Sequence, residues 1–305
     1  MKKIYILEHF DFTDEQLERL HSLGEVHYFT SGGTKEQIAE AIENADAILL
    51  DWLDPDPILA TMKRGQFICL PYTGYNWIKN IDMAKNNGVI ISNTPNYSTN
   101  AVAEHHLALI LDVAKHITQF NNQYKSGEKV AFNRGMELCG KKVGIIGIGR
   151  IGSRLAELLS AFGVEIFAFN RTPRQIANVK NVGLNELLKE CDIVCNTCRF
   201  TDETHNMIGL EQLRAMKPNA ILTSTTGGII NLEELVQFMD EENKLFGVGL
   251  DDVDQQLVPQ GLMAHENVIC TYHRAYDTNE SERNRIDLCI DAIEAFLNGT
   301  PINTI

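Results

Sequence analysis

Apolar residues fall along this chain in two textures: short unbroken runs, and longer stretches in which they recur at helical spacing. The runs Ile4–Leu7, Ala47–Leu50, Phe67–Pro71 and Val89–Ser92 predict buried strands. Between them, Asp14–Leu23 has the helical period. Thr34-Lys35-Glu36-Gln37 is a capping box that predicts a helix to about Asn44. Asp54-Pro55-Asp56-Pro57 predicts a turn-rich surface loop. Asn100–Tyr124 then holds neither Gly nor Pro, and Val102, His106, Ile110, Val113 and Ile117 share one face, which predicts a single long helix. A second series of runs follows at Val143–Ile146, Glu165–Phe169, Ile193–Asn196, Ala220–Ser224, Leu245–Leu250 and Val268–Cys270. Helical patterns at Ser153–Ala161, Leu184–Glu190, Leu210–Met216 and Asn231–Asp240 separate them, and Glu282–Leu297 predicts a last amphipathic helix. Strand–helix alternation of this kind implies parallel sheets with helices on both faces, so both halves read as doubly wound α/β.

A length of 305 residues implies two domains rather than one core. The formal net charge of −14 repels phosphate backbones and anionic membranes, which argues against nucleic acid and membrane partners. No apolar run approaches the ~18 residues of a membrane span. The start, Met1–Glu8, has too short an apolar stretch for a secretory signal. Seven cysteines, an odd number sitting mostly in apolar runs, read as reduced residues of a cytoplasmic protein. Cys195 and Cys198 have metal-ligand spacing, but no second pair follows, so no metal site is expected. Adjacent residues on a helix point about 100° apart, so His105 and His106 are expected to serve packing rather than one ion.

Gly147-Ile148-Gly149-Arg150-Ile151-Gly152 directly follows the run Val143–Ile146 and precedes the helical pattern from Ser153. In that context G-x-G-x-x-G is a dinucleotide-binding fingerprint. Gly147 is expected to permit the turn, Gly149 to let a pyrophosphate approach, and Gly152 to let helix and strand pack. The next strand ends at Asn170, where an acid would accept from a ribose 2′-hydroxyl. Asn170 is neutral, and Arg171-Thr172-Pro173-Arg174 follows. A guanidinium there suits a 2′-phosphate, so NADP is expected in preference to NAD, with NAD still possible.

Further motifs extend the pattern. Thr73-Gly74-Tyr75-Asn76 with Asn80-Ile81-Asp82, the run Asn93–His105, Thr204–Gly209, Met216-Lys217, Gly227–Ile230, Leu250-Asp251 and Tyr272-His273 occur in order between about residues 65 and 305. Together they resemble the D-isomer-specific 2-hydroxyacid dehydrogenase family. The resemblance implies a flavodoxin-like substrate domain, residues 1–98 plus 274–305, and a Rossmann dinucleotide-binding domain, residues 99–273. It implies a homodimer and hydride transfer between nicotinamide and C2 of a 2-keto or 2-hydroxy acid. It assigns cofactor contacts to Gly147, Gly149, Arg150, Ile151, Gly152, Asn170, Arg171, Thr172, Cys198, Thr225 and Asp251, the last against the nicotinamide carboxamide. Backbone amides at Thr73 and Gly74 would hold a substrate carboxyl, and His273 would be the acid/base.

Two family residues are replaced. Thr226 stands where the family has its substrate-binding arginine, and a hydroxyl offers neither charge nor a bidentate fork. Gln256 stands where the glutamate that raises the histidine pKa is expected, and a neutral amide can orient an imidazole but not charge-stabilise it. Two readings stay open. In one the protein is an active oxidoreductase with altered chemistry, its missing charge supplied by Arg274 or Arg199 and its histidine paired with Asp254 or Asp277. In the other it is a catalytically impaired dinucleotide-binding homologue that acts as a sensor or interaction protein.

Overall fold

The computed structural model describes residues 1–127, 133–242, 244–253, 258–259 and 261–305. Gln256 and Asp254 lie outside the described residues. The chain forms two compact units, Met1–Ser98 with Thr278–Ile305, and Thr99–Asp277.

The first unit runs β1 (Lys3–Ile6), α1 (Asp14–Leu23), β2 (Glu25–Tyr28), α2 (Lys35–Asn44), β3 (Ala47–Leu49), α3 (Pro55–Leu59), β4 (Phe67–Leu70), α4 (Ile81–Asn86) and β5 (Ile90–Asn93). The strands pair in parallel in the order β2-β1-β3-β4-β5. Thr13 and Thr34 close capping boxes with Gln16 and Gln37, which start α1 and α2 where the sequence marks them. The C-terminal helix Asn279–Leu297 packs Ile286, Cys289, Ile290 and Ile293 against the sheet. The chain end then lies along β5: Thr304 bridges Ser92 antiparallel and Ile305 N–H donates to Ile91 O at 3.1 Å. That covers an edge strand which would otherwise expose unpaired amides.

The second unit runs α5 (Thr99–Lys115), α6 (Ile117–Ser126), β6 (Lys142–Ile146), α7 (Arg150–Ser160), β7 (Glu165–Phe169), β8 (Val179–Asn181), α8 (Leu184–Glu190), β9 (Ile193–Asn196), α9 (Leu210–Ala215), β10 (Ile221–Ser224), α10 (Leu232–Glu241), β11 (Gly247–Leu250) and β12 (Val268–Cys270). Its seven strands are parallel in the order β12-β11-β10-β9-β6-β7-β8. Strand order reverses between β6 and β9. In open α/β sheets the ligand crevice lies outside the carboxyl ends of the strands at that point. The two-sheet doubly wound α/β architecture is the one expected.

Four local expectations are corrected. The single helix over Asn100–Tyr124 is two, broken at His116, whose φ is 55°. The Ala114 carbonyl is taken by the Met136 amide at 2.7 Å, and the Thr118 amide by Asp112 Oδ1 at 2.7 Å, so the ladder cannot continue. Ile117 consequently ends 56% exposed rather than on the buried face. Asp54–Pro57 is not a loop but the start of α3, with Asp54 as N-cap and Pro55 in the first turn. The nucleotide-site helix opens at Arg150, one turn before Ser153. The strands β2 and β8 have no fully buried residue, so no apolar run announced them.

One buried ion pair ties the ends of the first unit together. Arg285 on the C-terminal helix donates to Asp51, just past β3, through both terminal nitrogens, and to Glu282. Its guanidinium also lies 5.4 Å from the Phe10 ring centre. Arg285 and Asp51 are 8% and 6% exposed. Replacing Arg285 by Leu leaves a buried carboxylate without its partner and is expected to cost about 3–5 kcal/mol. Urea unfolding followed by tryptophan fluorescence measures this, because both Trp52 and Trp77 belong to that unit.

Candidate active site

The glycine loop lies at the β6–β9 reversal. Gly147 has φ 87°, and a Cβ there would meet Cys198 Cα at 2.4 Å. A Cβ on Gly152 would meet Gly147 O at 2.8 Å and Ile145 at 3.2 Å, so α7 can approach β6 this closely only with glycine. Gly149 is different: nothing lies within 4 Å of its Cβ position. It is also the N-cap of α7, and no side chain caps that helix. Free amides at a helix N-terminus facing open space suit a pyrophosphate. Arg150 is exposed and Ile151 half-buried on the same first turn.

Around this loop, Thr197 Oγ1 donates to Gly147 O at 2.8 Å, and the Cys198 sulfur approaches Asn196 Oδ1 at 2.9 Å. Burial pushes the Cys198 thiol up to about 11, so it is a packing group rather than a thiolate. Beyond β7, Asn170 donates to Thr172 O at 3.1 Å, and Arg171 projects into solvent, 83% exposed, where it pairs with Glu203.

The residues at the carboxyl ends of β10, β11 and β12 form a second cluster. Asp251 is 1% exposed. Its Oδ1 accepts from Thr271 Oγ1 at 2.7 Å and Arg274 N–H at 2.8 Å, and its Oδ2 from Ala275 N–H at 3.0 Å. His105 Nε2 lies 2.8 Å from Thr271 Oγ1 and 3.5 Å from Asp251 Oδ1. The carboxylate expected at a nicotinamide thus has both oxygens bound to the 271–275 loop. That loop holds His273, whose backbone sits at φ 46°, a conformation a non-glycine residue keeps only where surrounding bonds enforce it. His273 N–H donates to Asp251 O at 2.9 Å, which contributes to that enforcement.

His273 Nδ1 lies 3.0 Å from Asp252 Oδ1, and Asp252 Oδ2 accepts from Gly227 N–H at 2.9 Å. An antiparallel bridge between Asp252 and Tyr272 sets this register. The hydrogen bond to Asp252 raises the His273 pKa, against the cost of burial, with the carboxylate charge adding to it. Burial alone would raise Asp252, but the His273 hydrogen bond, its charge and the Gly227 amide outweigh it and hold the carboxyl below its ordinary value. The acid partner of His273 is therefore Asp252. Asp277 instead pairs with Arg274, at 2.8 Å. Asp252 stands next to the Leu250-Asp251 motif, and only the β11–β12 pairing brings it opposite His273.

Thr226 is half-buried, its carbonyl accepting from Ser224 Oγ at 2.9 Å, and it lines a crevice with Gly227, Gly228, Ile230, Leu232, Asp252 and Val253. Thr225 Oγ1 lies 3.4 Å from His106 Nδ1, and Thr223 Oγ1 2.6 Å from His106 Nε2. Burial drives His106 down to about 3, so it is a neutral strut under β10. In the first unit Thr73 Oγ1 donates to Thr94 O at 3.1 Å, and both Thr73 and Gly74 are exposed past β4. Among the described residues no group of His, Cys, Asp and Glu could hold a metal ion, and no helix is long and apolar enough to cross a membrane.

A parallel sheet with its glycine loop at the order reversal defines a dinucleotide-binding α/β protein. The family profile described as D-isomer specific 2-hydroxyacid dehydrogenase, NAD binding domain, matches residues 107–275. A hydroxypyruvate reductase of Blautia hydrogenotrophica is 28% identical over 99% of both chains. A glyoxylate reductase of Pyrococcus furiosus is 31% identical over 87% of this chain and 83% of its own. The solved structure of an acyclic imino acid reductase in complex with NADPH and D-arginine superposes with a TM-score of 0.87 at 26% identity, covering 99% of each chain. This chain belongs to the D-isomer-specific 2-hydroxyacid dehydrogenase family, whose members are NAD(P)-dependent oxidoreductases acting on CH–OH groups.

Two outcomes follow from this geometry. Gly149→Ala should leave the melting temperature of the free protein unchanged yet weaken dinucleotide binding by about tenfold, or 1.4 kcal/mol. Gly152→Ala should lower that melting temperature, because its Cβ meets backbone; scanning calorimetry and titration separate the two. The His273 shift sets a pH window. A raised histidine stabilises the fold below its unfolded pKa and loses that as pH rises through the folded value; a lowered aspartate loses its contribution as pH falls through its own folded value. The pair therefore stabilises between the lowered Asp252 and the raised His273 pKa. In Asp252→Asn the His273 ring proton resonances should titrate at lower pH than in the parent protein, read by NMR.

Proposed function

We propose that this protein is an NADPH-preferring reductase of a small 2-oxo acid or a related carbonyl compound, with the His273–Asp252 pair supplying the proton. The 3.0 Å contact between His273 Nδ1 and Asp252 carries this reading. Nδ1 engaged by a carboxylate leaves Nε2 as the nitrogen that delivers a proton, and the raised pKa keeps the ring charged further into neutral pH. When bound, the reduced dinucleotide supplies the hydride. Gly147, Gly149, Arg150, Ile151 and Gly152 would hold its pyrophosphate, Cys198 and Thr225 would line it, and Asn170, Arg171 and Thr172 would face its adenosine ribose. Asn170 in place of an acid, followed by Arg171, supports a 2′-phosphate. Asp251 acts as a positioning residue through the 271–275 loop. Backbone amides at Thr73 and Gly74 would hold a substrate carboxyl. The working form under this reading is a cytoplasmic homodimer.

Asp252 restores a charged partner for the histidine, which Gln256 could not be, and so favours turnover over a binding-only role. Thr226 is not compensated in the same way. It offers the carbonyl oxygen a hydroxyl donor where a guanidinium would stabilise developing negative charge. That substitution favours a second reading, a C=N acceptor. A protonated imine already carries positive charge, so its carbon accepts hydride without a cation opposite, and the neighbouring Asp252 carboxylate suits it. The imino acid reductase among the structural relatives is consistent with this chemistry.

Absorbance at the reduced-nicotinamide band, with 2-oxo acids, aldehydes, ketones and 2-oxo acids plus ammonia, tests both readings. Turnover of oxo acids alone supports the carbonyl reading, turnover only with amine supports the imine reading, and tight NADPH binding with no turnover rejects both. His273→Ala should abolish turnover while leaving NADPH binding intact. Asp252→Asn should move the alkaline limb of the reduction profile to lower pH, in the direction of the histidine shift. For an oxo acid substrate, Thr226→Arg should preserve or raise the rate.

A further inference from the structure

The exposed ion pair between Arg171 and Glu203 joins two different loops of the nucleotide crevice. Arg171 follows β7, whereas Glu203 comes from the connection between β9 and α9. The turn that carries Glu203 is tied by its neighbours' hydrogen bonds. Thr201 N–H donates to Thr204 Oγ1 at 2.8 Å, Thr204 Oγ1 donates to Arg199 O at 2.8 Å, and Asn206 N–H donates to Gly228 O at 2.8 Å. From this turn the Glu203 carboxylate reaches the guanidinium assigned to the 2′ position. Asn170, where an acid would ordinarily read a ribose hydroxyl, has its amide turned to Thr172 O instead.

We propose that Glu203 sets the cofactor preference of this enzyme by competing with a 2′-phosphate for Arg171. The inference rests on the reading of Arg171 as the residue that faces the 2′ position. A guanidinium bound to a carboxylate must exchange it for the phosphate, and the two anions then lie within a side-chain length of each other and repel. With a 2′-hydroxyl there is no exchange, and the Glu203 carboxylate can accept from the hydroxyl, in the role an acid at position 170 would otherwise take. Glu203 therefore weakens NADP and strengthens NAD, and holds the preference below what Arg171 alone would give. Both side chains are largely solvent-exposed, 83% and 71%, so the effect is modest and screened by salt.

Fluorescence titration of NADPH and NADH into the parent protein, Glu203→Gln and Arg171→Ala tests this. Glu203→Gln should bind NADPH about two- to fivefold more tightly and NADH no more tightly, and the gain should shrink with added salt. An NADPH-to-NADH ratio unchanged in Glu203→Gln, with Arg171→Ala still weakening NADPH, overturns the role of Glu203 and leaves the NADPH reading standing. NADPH binding unaffected by Arg171→Ala overturns the reading of Arg171, and the competition with it. A ratio that falls in Glu203→Gln reverses the sign and also overturns the proposal.

Discussion

The buried carboxylate of Asp251 is the constraint on which the histidine cluster depends. A nearly inaccessible anion is tolerated only where donors surround it, and here they come from Thr271, Arg274 and Ala275. Those three donors fold the chain after β12 back over the end of β11. The turn forces His273 into a left-handed backbone conformation and places its ring opposite Asp252. His105, reaching Thr271 from α5, braces the same loop from the other side. Neighbouring aspartates thus divide two tasks, one buried and structural, the other partly exposed and electrostatic.

The second of these aspartates, Asp252, lies 3.0 Å from His273 Nδ1, and its hydrogen bond raises the histidine pKa. That carboxylate lies two residues past β11, where the imidazole and the Gly227 amide together hold its pKa below the ordinary value. Thr226 lines a crevice with Gly227 and Asp252.

The first unit rests on a comparable buried pair. Arg285 and Asp51 join the last helix to the end of β3, across a large separation in sequence, and the chain terminus closes the β5 edge. The closing segment and the first strands are thereby one cooperative body. Thr73 and Gly74 follow β4 of the same sheet, and the Thr73 hydroxyl donates to Thr94 O just past β5.

Much was legible in the sequence because it is local. Apolar runs marked the buried strands, capping boxes marked α1 and α2, and the glycine spacing after a strand marked the phosphate loop, since each depends on neighbours a few residues away. Edge strands β2 and β8 were not legible, because partial burial leaves no apolar run. The break at His116 was hidden too, since it arises when Met136 captures a helix carbonyl from outside the helix. The partner of His273 and the partner of Arg171 were likewise decided only by tertiary structure. Asp252 reaches its histidine through strand pairing, and Glu203 reaches its arginine from another loop. Spacing along the chain records which groups are available, but a hydrogen bond between distant residues is fixed by the sheet register that brings them within reach.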